Sequence, residues 1–137
     1  MFFTKQLKPD GIQFYLGVDQ YKYGRVTEAF VETFKSTPTW IVEEARRLNN
    51  NKNIFYFCDF TTYSEGDRKK GYGREMLKKV KEYFKGSILY LYVGTYDEDY
   101  ITNQQLIEFY SSEGFNEILP PKGVKSYKNY RTMIIEL

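Results

Sequence analysis

The stretch that decides how this chain is interpreted is Arg68-Lys69-Lys70-Gly71-Tyr72-Gly73-Arg74. It follows an apolar run, Ile54 to Phe60, and leads into a helical pattern. Gly71 and Gly73 let the backbone approach a ligand closely, and the first N–H groups of a helix have no partner within the helix. The helix dipole adds positive potential at the same point. The stretch therefore predicts a binding site for a phosphate or pyrophosphate group.

The same residues also fit a simpler interpretation, a glycine-containing loop beside a solvated basic helix. The sequence is neither a Walker loop, which needs a Gly-Lys-Ser/Thr ending, nor the GxGxxG fingerprint of dinucleotide-binding folds. The lysines farther along the helix are expected to form its solvated side. They are Lys78, Lys79, Lys81 and Lys85.

Downstream and upstream of this stretch, strands and helices alternate. The run Ile54 to Phe60 is typical of a strand buried on both faces. The helix after Arg74 carries apolar residues at helical spacing and is closed by Gly86. A strand follows from Ile88 to Val93. A helix opened by Asn103 and ended by Gly114 comes next, and short strands are predicted at Phe115–Ile118 and Thr132–Ile135. Such alternation is typical of an α/β fold with a parallel strand pair at its centre.

The N-terminal part is less well determined by its pattern. Phe2 to Leu7 and Ile12 to Val18 predict strands joined by a Lys-Pro-Asp-Gly turn. The spacing of Val26, Ala29, Phe30 and Phe34 favours a helix, although a strand over residues 22 to 35 stays open as the alternative. A further helix is expected from Pro38, with Thr37 as its N-cap, an apolar side of Trp40, Ile41, Ala45 and Leu48, and an end at Asn49-Asn50-Asn51.

Composition excludes several kinds of chemistry. The chain has 137 residues, which predicts a single domain over residues 1–137. It contains no histidine, so Ser-His and Cys-His nucleophiles and histidine-based metal sites are excluded, and no metal is expected. The single cysteine, Cys58, rules out an internal disulfide. A net charge of +2 argues against a nucleic-acid partner, and no apolar run is long enough to span a membrane. The expected location is the cytoplasm.

Two ordered motifs resemble those of the GNAT N-acetyltransferases. Arg68-x-x-Gly71-x-Gly73 after a strand is similar to the family's Arg/Gln-x-x-Gly-x-Gly/Ala signature. A second motif matches the family's Asn-x-x-apolar-x-x-Phe-Tyr-x-x-x-Gly-Phe helix in register. Its residues are Asn103, Leu106, Phe109, Tyr110, Gly114 and Phe115. The resemblance implies a mixed, mostly antiparallel sheet flanked by helices, with a central parallel strand pair.

The resemblance also implies a donor and a set of roles. Acetyl-CoA would be the acetyl donor, and its pantetheine arm would pair with the backbone of Thr61, Thr62 and Tyr63 like an added strand. The amides of Lys69, Lys70, Gly71, Tyr72, Gly73 and Arg74 would hold the pyrophosphate, with Arg68 beside them. Asn103 would hydrogen-bond the pantetheine arm. Tyr110 would stand near the thioester sulfur as general acid, since a phenol is protonated at neutral pH.

The acceptor and the base stay open at this stage. The implied activity is direct transfer to a primary amine: a small molecule, a protein lysine or a protein N-terminus. The alternative is a catalytically weak GNAT-fold module that binds coenzyme A or a protein partner. A nucleic-acid-binding domain built on the lysine-rich helix is the weakest of the three. Asp59, Glu65 and Asp67 flank the cofactor strand, and Asp97, Glu98 and Asp99 lie in a loop where an acceptor would bind; none is singled out as the base. The sequence does not predict an oligomeric state.

Overall fold

The computed structural model describes residues 2–18, 25–34, 36–62, 71–94 and 101–137, which divide into two compact units. The first unit takes Met1–Lys35 and Phe55–Lys85, and the second takes Ser36–Ile54 and Gly86–Leu137. In chain order the elements are β1 (Phe2–Lys8), β2 (Gly11–Gly17), β3 (Arg25–Glu32), α1 (Thr39–Leu48), β4 (Ile54–Thr62), α2 (Tyr72–Tyr83), β5 (Ile88–Val93), α3 (Asn103–Ser112), β6 (Asn116–Ile118) and β7 (Arg131–Glu136). Within the described ranges, none of the helices is long and apolar enough to cross a bilayer.

The first unit is built on four strands that pair in chain order. β1 pairs with β2, β2 with β3 and β3 with β4, each antiparallel. α2 packs on β2 and β3 and buries Met76, Leu77 and Val80. Phe14 of β2 is fully buried between β1 and α2, with its ring centroid 5.9 Å from that of Phe3. This aromatic packing fixes α2 against one face of the strands.

The second unit is built on three strands in the order β5-β7-β6, with both pairs antiparallel. β5 is almost entirely buried, and α3 contacts β5 and β6. The chain end is tied to the segment before β4, because the Nζ of Lys52 donates to the backbone oxygen of Leu137 at 2.6 Å. The amide of Ile88 donates to the carbonyl of Asn53 at 2.8 Å, which ties the start of β5 to the same segment.

The helix predicted from Val26 was wrong, because residues 25–32 form β3. The spacing of Val26, Ala29 and Phe30 fits a helix. In the structure, however, every second residue of the strand, Thr27, Ala29 and Val31, is fully buried. Glu28 alternates with them and is half-buried. Strand pairing on both sides therefore overrides the helical spacing.

Smaller corrections concern element ends and burial. α1 begins at Thr39, with Pro38 in an extended conformation (φ −54°, ψ 142°) as its N-cap, so the predicted cap at Thr37 was one position early. Leu48 of α1 is exposed rather than part of its buried side. β4 is not buried on both faces as predicted: Phe57 alone is fully buried, while Asp59 and Thr61 are exposed. Large aromatic side chains can remain partly exposed to solvent, so a continuously apolar sequence does not require a strand buried on both faces.

Candidate active site

The last residues of β4 are the first part of the predicted cofactor site. Thr62 is half-buried, and its Oγ1 lies 3.2 Å from the Oγ1 of Thr27 on β3. Thr61 is exposed, and its Oγ1 donates to Asp59 Oδ1 at 3.2 Å. These two bonds hold the threonine side chains, so the strand end has a defined geometry. Tyr63, Arg68, Lys69 and Lys70 lie outside the described residues, as do Glu65 and Asp67.

A change of register interrupts β4 four residues before its end. Phe30 pairs with Asp59, but the next residue of β3, Val31, pairs with Phe57. Cys58 is therefore the extra residue of a bulge, and it is half-buried. A bulge increases local twist and redirects the strand, and bulges are frequent beside functional sites. The sequence pattern gave no sign of it.

The start of α2 is the second part of the site. Gly71 is the N-cap, in a left-handed conformation (φ 81°, ψ 7°) that favours glycine. Among the described residues, no side chain caps this helix. The amide of Glu75 donates to the carbonyl of Gly71 at 3.1 Å and begins the helical ladder, so the helix offers no acceptor to the amides of Tyr72 and Gly73. The helix start therefore keeps donors and a positive dipole end available to an anion.

Different physical reasons account for the glycines at positions 71 and 73. A Cβ at Gly71 would meet nothing within 4 Å, so its positive φ alone explains the residue. Gly73 is an ordinary helical residue, and a Cβ there would lie 3.4 Å from the Phe60 ring, an ordinary contact. The protein's own packing does not require glycine at position 73. The contact also shows that the start of α2 lies against β4.

The second unit holds Asn103 and Tyr110, both on α3. The helix has its own capping box, in which Thr102 Oγ1 accepts from the Gln105 amide at 3.1 Å. Asn103 is the first helical residue and is exposed. Tyr110 is two turns farther on the same face, about 10 Å along the axis. Its side chain is 7% exposed, and its ring packs on those of Phe109 and Phe115 at 5.3 and 5.5 Å.

The electrostatics of the first unit single out a residue that the sequence did not suggest. Glu28 of β3 is half-buried and stands opposite Thr61 in the β3–β4 register. Burial is the main cause that raises the pKa of Glu28, and the neighbouring Asp59 raises it further, against the opposing charges of Arg25 and Lys8. Sequence reasoning missed Glu28 because the helical interpretation placed it on a solvated face. In the second unit, burial and then Tyr127 raise the pKa of Tyr92.

Comparison with known proteins bears on the fold. No protein-family model matches the chain, and neither does any curated protein sequence. Solved structures do match. Tetrahymena GCN5 has a TM-score of 0.57 at 12% identity, over 93% of this chain and 69% of that one. A protein from Bacteroides thetaiotaomicron, named as a putative acetyltransferase from the GNAT family, has a TM-score of 0.57 at 17% identity, over 93% of this chain and 62% of its own. The fold is that of the GNAT acetyltransferases.

Other GNAT structures give the same result. The Escherichia coli ribosomal-protein-S18-alanine N-acetyltransferase matches with a TM-score of 0.54 at 13% identity, over 94% of this chain and 70% of that one. The GNAT fold predicted from the two motifs is thus confirmed. This chain spans only 62% and 65% of the lengths of two of the matching proteins. At these identities the comparisons establish the fold and leave activity to be argued from the residues.

Proposed function

We propose that this protein transfers an acetyl group from acetyl-CoA to a primary amine by direct attack in a ternary complex. The observation that carries the proposal is the start of α2. The helix begins at a left-handed glycine and no described side chain caps it, and Gly73 lacks a side chain that its packing would accept. A closely bound anionic ligand explains both features, since its oxygens would accept from the first-turn amides. The matching structures include a histone acetyltransferase and a ribosomal-protein-S18-alanine N-acetyltransferase, and this likeness of fold supports the same ligand.

The residues on each unit have distinct roles in this proposal. Thr61 and Thr62 offer backbone groups to an extended pantetheine arm. Gly71 through Arg74 hold the pyrophosphate, with Tyr63 and Arg68 through Lys70 completing the site. Asn103 hydrogen-bonds the arm. Acetyl-CoA, when bound, supplies an activated acetyl thioester.

Tyr110 is proposed as the general acid for the departing thiolate. A tyrosine hydroxyl is ordinarily protonated at neutral pH and can donate to a thiolate of lower basicity. Asn103 and Tyr110 share one face of α3, about 10 Å apart, so one helix can address two points of an extended arm. The acceptors proposed are amine-bearing small molecules and protein lysines or N-termini, in the cytoplasm.

One observation favours a second candidate. The ring of Tyr110 is buried between two phenylalanines, as a purely structural tyrosine would be. The alternative is therefore a GNAT-fold module that binds coenzyme A or a protein partner without efficient turnover.

Calorimetry with acetyl-CoA and with coenzyme A tests the binding half of the proposal. We expect measurable heat, micromolar affinity and a raised melting temperature, because a ligand that binds only the native state must stabilise it. Thiol release is then followed with spermidine, free lysine and a lysine-containing peptide. No heat and no thermal shift would show that the ligand is wrongly assigned. Tight binding without transfer to any amine would favour the binding module.

A further inference from the structure

β3 and β4 present different residues on their two faces. Ala29 pairs with Phe60, whose ring lies under Gly73 at the start of α2, so these residues face α2. Glu28 pairs with Thr61, one position away on both strands. Because side chains alternate along a strand, Glu28 points to the face opposite α2. On that face Glu28 is half-buried, so part of the residue remains exposed.

Charged and titratable groups surround Glu28 from each neighbouring strand. Asp59 lies on β4, Arg25 on β3 itself and Lys8 on β1. Tyr15 stands opposite Glu28 on β2, and the guanidinium carbon of Arg25 lies 3.4 Å from the centre of the Tyr15 ring. Arg25 is thereby held by the ring, and Glu28 makes no hydrogen bond or ion pair with another described residue. A half-buried carboxylate in this position is available to an incoming group.

An amine acceptor must lose a proton before it can attack, and a half-buried carboxylate can accept that proton. A primary amine with a pKa of about 10.4 is an ammonium ion at neutral pH and has no lone pair for attack. The chain has no histidine to act as base. Asp59 is exposed, and its Oδ1 already accepts from Thr61. Burial makes Glu28 a stronger base than an exposed carboxylate, and a base nearer the working pH is more effective.

We propose that Glu28 is the general base that takes a proton from the acceptor ammonium, directly or through one water. This assignment rests on the proposed acetyl transfer and adds the residue that the transfer requires. It also defines the acceptor side of the site as the face of β3 and β4 opposite α2. The strand register of Glu28 and Thr61 is the juxtaposition on which the assignment depends.

With Glu28 as the base, every proton and electron pair of the acetyl transfer is accounted for. The ammonium gives one proton to the Glu28 carboxylate, and the freed nitrogen lone pair forms the N–C bond to the thioester carbon. As the C–S bond breaks, its electron pair leaves with the sulfur. The thiolate takes a proton from Tyr110, the proposed donor, and the second proton lost by the nitrogen restores the Tyr110 hydroxyl through solvent. Glu28 then releases its proton to solvent, so one amide, one thiol and one proton result.

The test compares four variants of the full chain with the parent. Glu28→Gln keeps the size of the side chain but cannot accept the proton. Glu32→Gln is the matched control, since it changes a half-buried glutamate of the same strand. Asp59→Asn and Arg25→Gln change the charges that act on Glu28. For each protein, coenzyme A affinity and the pH dependence of kcat/KM are measured with the best amine of the panel.

The expected results follow from the charges. Glu28→Gln should lower kcat/KM by about 10²-fold or more, with coenzyme A affinity within twofold of the parent, and Glu32→Gln should match the parent. In the parent, kcat/KM falls at low pH as Glu28 is protonated. Because Asp59 raises the pKa of Glu28, Asp59→Asn should move that fall to lower pH. Because Arg25 lowers it, Arg25→Gln should move the fall to higher pH.

Other outcomes overturn the assignment and separate it from the proposed function. A parent-like pH profile in Glu28→Gln excludes Glu28 as the base. A raised KM with unchanged kcat makes it a binding residue only. A parent that binds coenzyme A but transfers the acetyl group to no amine overturns the assignment of the base and leaves the cofactor site standing. A parent that does not bind coenzyme A overturns the proposed function itself.

Discussion

Gly73→Ala is expected to change protein stability and coenzyme A affinity in opposite directions. The fold gains from the change, because alanine is a better helix former than glycine by about 0.5–1 kcal/mol. The new methyl group would lie 3.4 Å from the Phe60 ring, so no clash opposes the gain. At this chain length we expect a rise in Tm of about 2–4 °C.

The ligand should suffer from the same methyl group. If the backbone at Gly73 approaches a pyrophosphate, a Cβ keeps the phosphate oxygens away from the first-turn amides. Losing one hydrogen bond to a charged group costs about 1.5–3 kcal/mol, which weakens coenzyme A binding roughly 10- to 150-fold. The variant should thus be more stable than the parent when unliganded and bind coenzyme A less tightly.

Calorimetry and thermal unfolding measure the two effects on the same samples. Gly123→Ala is the control: Gly123 has a φ of 84° and open space around it, so alanine there should lower stability through backbone strain and leave affinity unchanged. If Gly73→Ala binds coenzyme A as tightly as the parent, the pyrophosphate does not lie against this turn.

Four further substitutions test the remaining assignments. Tyr110→Phe should lower turnover by about 10²–10⁴-fold while acetyl-CoA affinity changes little, because a proton given to the leaving group acts in the transition state; parent-like turnover with rate-limiting chemistry would make Tyr110 a packing residue. Lys78→Ala and Lys81→Ala should barely alter coenzyme A affinity measured by calorimetry, since both lysines lie beyond the first turn of α2. A steep loss of affinity in either variant would show that the phosphate site is wrongly assigned. Gly11→Ala should lower the free energy of unfolding in urea by about 3 kcal/mol, because its Cβ would collide with the carbonyl oxygen of Val31. A change within experimental error would contradict that close approach of β2 and β3.

Elements whose signals are local were predictable from the sequence. β5 spans Ile88–Val93 as its apolar run predicted, and α3 begins at Asn103. Gly114, predicted to end α3, has a φ of 97°, which explains the glycine. Each of these depends on neighbouring residues and on backbone conformation alone.

Features that depend on partner strands could not be read from the chain. β3 carries Glu28, Phe30 and Glu32 on one side and Thr27, Ala29 and Val31 on the other, and neither set looks like a simple apolar face. The strand exists because β2 and β4 flank it. The position of Glu28 opposite Thr61 and the bulge at Cys58 both follow from that register. The candidate base could therefore not be predicted before the strand pairing was known. The motif glycines were visible, because their chemistry is local.

The two site helices begin in different ways. α3 closes its first turn with the side chains of Thr102 and Gln105, whereas no described side chain does so for α2. A cap of that kind contributes about 1 kcal/mol. In the absence of ligand, the first-turn amides of α2 should therefore exchange with deuterium faster than those of α3, and the start of α2 should be among the first parts to fray. An anion bound there would itself serve as the missing cap, so slowed exchange at Tyr72 and Gly73 would report occupancy residue by residue.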